Sequence, residues 1–126
     1  MNSDRRQILD SFLENIAGIS DQKYQERVWV RIEGPECDDI DDTILDFFDD
    51  GNPILDNFRD FEITDTQHRI LMELHKKLDI FTKTYGVFYP YKSTEQLINT
   101  PEWLEIRELA KTVLQAFNYQ KKGFMS

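Results

Sequence analysis

The chain has one cysteine, Cys37, so an internal disulfide framework is excluded and a reducing compartment is expected. No apolar run extends beyond a few residues, which leaves nothing to read as a membrane-spanning helix. The opening Met1–Arg6 has no apolar stretch of the kind that marks a signal peptide, and the expected location is the cytosol. Internal repeats, low-complexity tracts and linkers are also missing. The most informative absence is local: between Arg31 and Arg59 there is no lysine or arginine.

What is present is a globular inventory, 40% apolar and 13% aromatic, in 126 residues that fit one domain. A chain of this size buries roughly two-thirds of its unfolded surface. The expected domain is 1–126, with the tail from Asn118 fraying.

The pattern predicts a mainly α fold of the α+β class, about five helices with a small β element near 27–33. Ser3 is a candidate N-cap for a first helix to about Ala17, with Ile8, Leu9, Phe12, Leu13 and Ile16 on one side and Gly18 as its stop. A polar connection follows through Gln25. Arg27–Glu33 then alternates, with Val28, Val30 and Ile32 on one face and Arg27, Trp29 and Arg31 on the other, a strand signal closed by Gly34-Pro35. Trp29 on that strand is expected to lie under a helix, and the alternative is an exposed binding anchor. Val87–Tyr91 is a candidate second strand paired with it. An acidic helix over 38–50 is expected to stop at Gly51, with Asn52-Pro53 opening a short helix to Arg59. Thr64 to Gln67 fits a capping box for the longest helix, to Tyr85. Its main face carries Ile70, Leu71, Leu74, Leu78 and Phe81, while Met72 and Ile80 lie off that face, which predicts cover on two sides. Ser93 to Gln96 repeats the capping box, and Thr100-Pro101 begins a last helix to about Phe117.

Charge is concentrated in one place. The net charge is −9, which argues against nucleic acid or an anionic membrane surface as a direct ligand. Glu33, Glu36, Asp38, Asp39, Asp41, Asp42, Asp46, Asp49, Asp50 and Asp56 carry the imbalance, and the remaining acids and bases nearly cancel. On a helix over 38–50, Ile40, Ile44, Phe47 and Phe48 face one way and most of the aspartates the other. A solvated outer face is the bland explanation. Against it, Asp46, Asp49 and Asp50 would stand in the last turn, where acids oppose the helix dipole, with no cation four residues away. Folding alone would not place them there. Such a surface suits a basic protein partner or a divalent cation.

Catalytic signatures are lacking. Asp38-Asp39-Ile40-Asp41-Asp42 formally matches the aspartate-rich motif of prenyl-diphosphate enzymes, but no second acidic site accompanies it. An EF-hand loop fails, because Phe48 and Asn57 would fall at ligand positions. His68 and His75 are separated by roughly 10 Å along a helix and cannot share a metal. Cys37 lies among acids that disfavour its thiolate. No phosphate loop, G-x-S-x-G or H-E-x-x-H pattern occurs, and neither a cofactor nor catalytic residues are expected.

The run Arg27–Asp39, the continuation Asp46–Leu55 and Thr100-Pro101-Glu102-Trp103 resemble small bacterial immunity proteins of contact-dependent or polymorphic toxin systems. The resemblance covers roughly residues 27–117. It implies an intracellular antidote that binds a cognate toxin domain, in many such systems a nuclease whose active site is basic. The expected contact residues are Glu33, Glu36, Asp38, Asp39, Asp42, Asp46, Asp49 and Asp50. Two alternatives remain open: an enzyme holding Mg²⁺ on Asp38, Asp39 and Asp42, and an acidic regulatory adaptor.

Overall fold

Six α-helices, a π-helical segment and a 3-10 turn account for the regular structure of the computed structural model, which describes residues 1–86 and 92–119. Each helix begins where a short polar side chain can meet free N–H groups. For α1 (Ser3–Ser20) this is Asn2, one residue before the expected Ser3, accepting from the Arg5 N–H at 2.8 Å. A second helix, α2, is a single turn over Gln22–Tyr24, and the π-helix Gln25–Val30 continues from it. Asp39 caps α3 (Ile40–Asp56). Thr64 and Gln67 form the expected capping box of α4 (Asp65–Tyr85). Ser93 and Gln96 do the same for α5 (Thr94–Ile98), and Thr100 caps α6 (Pro101–Ala116). At its far end α6 closes in a Schellman motif: Asn118 is left-handed, and the Tyr119 N–H reaches the Leu114 carbonyl at 3.0 Å. Residues 118 and 119 thus terminate the helix in order, and the rest of the expected frayed tail lies outside the described residues.

The four long helices form a closed ring. Helix α1 packs on α3 and α6, and α4 packs on the same two. Inside the ring lie Phe12 and Ile16 of α1, Phe47 and Ile54 of α3, Leu71, Leu74 and Leu78 of α4, and Trp103 and Ile106 of α6, all essentially without exposure. The apolar stripes expected on these helices are the ones that meet. Met72 and Ile80, however, are 41% and 49% exposed, so α4 is covered on one side only.

The expected β element does not form: no strand occurs among the described residues, whose regular structure is all helical. Residues 25–30 wind as a π-helix, with the Arg31 N–H bonded to the Glu26 carbonyl at 3.0 Å. The inward residues are Gln25, Val28 and Trp29, at helical spacing, while Ile32 is 83% exposed. The alternation in Arg27–Glu33 was genuine but has no partner strand among the described residues. A lone strand leaves its backbone groups unpaired, whereas a helix pairs them within itself. Trp29 lies under α6, its ring 6.0 Å from that of Trp103. The candidate strand 87–91 lies outside the described residues.

The expected break at Gly51 is also absent. Helix α3 runs on through Gly51 and Pro53 to Asp56, and a 3-10 turn over Phe58–Phe61 replaces the short helix. Gly51 is buried against Phe12: a Cβ there would stand 2.7 Å from Phe12 Cε1 and 2.9 Å from Cζ. The glycine permits close approach of α1 to α3 and does not end the helix. Pro53 and Asp49 are both exposed, so water can serve the Asp49 carbonyl that proline has no N–H to meet.

Candidate functional site

The acidic stretch divides into two groups once it is folded. The first group holds the connection between the π-helix and α3. Ile32 and Gly34 are left-handed, with φ of 55° and 94°. The Arg27 guanidinium spans the bend, donating to the Glu33 carbonyl at 3.2 Å and to both Glu36 oxygens at 3.0 and 2.8 Å. Glu33 pairs with Arg31. Glycine is favoured at 34 by its left-handed φ, which L side chains rarely adopt.

Asp38 is the keystone of this group. Its Oδ2 accepts from the Tyr24 hydroxyl at 2.9 Å and from Trp29 Nε1 at 3.1 Å, and its Oδ1 lies 2.9 Å from the Thr43 hydroxyl. That carboxylate fastens the start of α3 to α2 and the π-helix. Burial, then the Asp38 hydrogen bond and charge, pushes the Tyr24 phenol well above its ordinary value. Asp39 is spent as the N-cap, accepting from the Asp42 N–H at 2.8 Å. Asp41 is half-buried with Oδ1 enclosed and unbonded. Burial, followed by the charges of Asp39 and Asp42, raises its carboxyl above the usual range.

The second group faces solvent. Asp42, Asp46, Asp49 and Asp50 are exposed on one side of α3, and none makes a salt bridge among the described residues. Asp42, Asp46 and Asp50 follow one another at four-residue steps, the spacing at which like charges repel on a helix. Partial burial, then Asp50, Asp42, Asp38 and Asp49, raises the Asp46 carboxyl. Leu45, 42% exposed, stands beside this row. Because α3 reaches Asp56, Asp46, Asp49 and Asp50 occupy its middle and not its last turn. The dipole argument therefore no longer applies to them, since that effect fades within a turn of the helix end. Mutual repulsion without a compensating cation remains.

The expected contact residues are thus separated by the fold. Asp38 and Asp39 serve the interior and a cap, Glu33 and Glu36 pair with arginines of their own segment, and Asp42, Asp46, Asp49 and Asp50 form an outward row. The same division speaks against a Mg²⁺ site on Asp38, Asp39 and Asp42: both Asp38 oxygens and Asp39 Oδ1 already meet protein donors, while Asp42 belongs to the outward row. Among the described residues no group of three His, Cys, Asp or Glu side chains is arranged to hold a metal. His68 stacks on Phe58 at 3.9 Å, and His75 bonds Asn52 Oδ1 at 2.9 Å, each on the flank of α4.

One polar centre escaped the sequence. Gln25, with no exposure, donates to the Gly18 and Ile19 carbonyls, both at 2.8 Å, and accepts from Trp103 Nε1 at 3.0 Å. Beside it Arg107, 4% exposed, donates to the Ile98 carbonyl at 3.0 Å and to Gln22 at 3.2 Å. Burial lowers the pKa of this guanidinium. No carboxylate pairs with it among the described residues. The only available signal was an arginine placed beside the apolar stripe of α6.

No family model, curated protein or solved structure matches this chain. No helix among the described residues is long and apolar enough to cross a membrane.

Proposed function

We propose that the chain is a protein inhibitor of the immunity type, which binds a basic toxin domain in the cytoplasm and blocks it. The toxin is most simply a nuclease, because an active site that holds phosphate is basic. The observation that supports this reading is the row Asp42, Asp46, Asp49 and Asp50, exposed, mutually repelling and without a salt bridge among the described residues. Repulsion at four-residue spacing costs a few tenths of a kcal/mol per pair, and a cationic partner surface reverses its sign. Complementary potentials of this kind speed association and exclude wrong partners. Leu45 adds an apolar contact beside the charges.

The test is affinity capture of the tagged chain from a lysate of its own organism, at low and high salt, beside the D46N/D49N/D50N variant. The expected result is a stoichiometric basic partner that is retained at low salt, weakened at high salt as screening sets in, and lost with the triple variant. A partner held equally by both proteins would overturn the assignment of this surface. Loss of folding in the variant would show that the row serves structure.

A further inference from the structure

A second surface lies on the other side of α1. The first turns of α1 and the end of α6 bound an open groove of about 650 Å³, with no residue of α3 in its lining. That volume is within the range of small-ligand clefts, roughly 300–1,000 Å³. Leu9 and Leu13 give it an apolar floor, and Asp10 and Glu14, one turn apart, stand along the α1 side. Phe117 and Tyr119 face them, held in place by the Schellman motif that closes α6. Arg6 lies a turn before Asp10. Neither Asp10 nor Glu14 makes a salt bridge among the described residues. Burial, then the charges of Glu14 and Asp10, pushes the Tyr119 phenol up.

An apolar floor, two carboxylates and two aromatic rings together match one ligand chemistry, a long aliphatic stem ending in a cation. The methylenes would lie on the leucines. The charged head would meet the carboxylates and the ring faces. A neutral or anionic group gains nothing from Asp10 and Glu14. We propose that this groove binds a lysine or arginine side chain carried by a peptide segment of another protein, a site separate from the α3 surface and independent of the inhibitor reading.

The test uses the full chain, ¹⁵N-labelled, titrated with the peptide acetyl-Ala-Lys-Ala-amide and with its norleucine counterpart. The expected result is saturable amide shifts at residues 9–14 and 117–119 with the lysine peptide and none with norleucine. D10N/E14Q should weaken binding roughly threefold to tenfold, the scale of two exposed ion pairs. D46N/D49N/D50N should leave it unchanged. Shifts confined to α3, equal shifts with norleucine, or no saturable shift at millimolar peptide would each overturn the proposal. So would binding that appears only in K121Q/K122Q, because the groove would then be taken by the chain's own lysines.

Discussion

Replacing Asp38 by alanine tests the division of the acidic segment most directly. Two donors, the Tyr24 hydroxyl and Trp29 Nε1, converge on one of its oxygens, and the Thr43 hydroxyl lies beside the other. Thr43 keeps an alternative acceptor in the Asp39 carbonyl at 2.7 Å, so its loss is small. Tyr24 and Trp29 lose the charged acceptor they share, and hydrogen bonds to a charged group contribute about 1.5–3 kcal/mol each. Asp38 is only half-buried, and water can replace part of what is removed. The expected loss for D38A is therefore about 2–4 kcal/mol, or a fall in Tm of roughly 8–16 °C for a domain of this size. D38N keeps an oxygen for Tyr24 and Trp29 and forfeits only the charge, so about half that loss is expected. D46N, on the outer row, should change stability by no more than a few tenths of a kcal/mol, in the stabilising direction. Urea unfolding followed by tryptophan fluorescence reports all three, since Trp29 is at the site. If D38A and D46N proved equally tolerated, the separation into structural and outward acids would be wrong.

G51A gains about 1 kcal/mol in helix propensity but drives a methyl into Phe12, and overpacking costs about 1–3 kcal/mol; net destabilisation is expected, and thermal unfolding should find it relieved in the F12L background. A stabilised G51A would contradict the close contact. I32G removes a β-branched side chain from a left-handed position, where a non-glycine residue costs about 1–2 kcal/mol, and should raise the urea midpoint; a lowered midpoint would mean that Ile32 makes contacts its exposure does not suggest. The Asp46 carboxyl is raised in the folded state, so the folded protein holds that proton more tightly than the unfolded chain. The resulting stability is present below the ordinary aspartate pKa and lost as pH rises through the raised value. The advantage of D46N over the wild type should therefore be largest at neutral pH and vanish on acidification, whereas a pH-independent difference would refute the cause.

The signals legible in the sequence were those whose chemistry is local. Thr64 with Gln67, Ser93 with Gln96, and Thr100 before Pro101 start helices through bonds made within four residues, and the structure has all three. The failures share a different cause. Gly51 and Pro53 read as punctuation because local propensity treats them so, yet a ring on another helix decides the first and solvent exposure tolerates the second. Arg27–Glu33 alternated like a strand, but a strand is defined by its partner, and none is present among the described residues. Gln25 passed for a connector because the donors to its side-chain oxygen, Trp103 and Arg107, lie far along the chain. The same limit applied to the acids. Asp38 and Asp46 are alike in sequence, and only the arrival of Tyr24 and Trp29 gives the first a structural role.

The Gln25–Trp103–Arg107 centre has a consequence for how the protein is made. Its members come from the π-helix and from α6, and the bond between Trp103 Nε1 and the Gln25 side-chain oxygen needs both. While the chain is being synthesised, the Gln25 side-chain oxygen lacks its Trp103 and Arg107 donors until α6 has emerged, and the ring of helices closes only when α6 meets α1. Closure of the core thus waits for the synthesis of α6, and a chain lacking α6 has neither a closed core nor the Trp103 donor for its central glutamine.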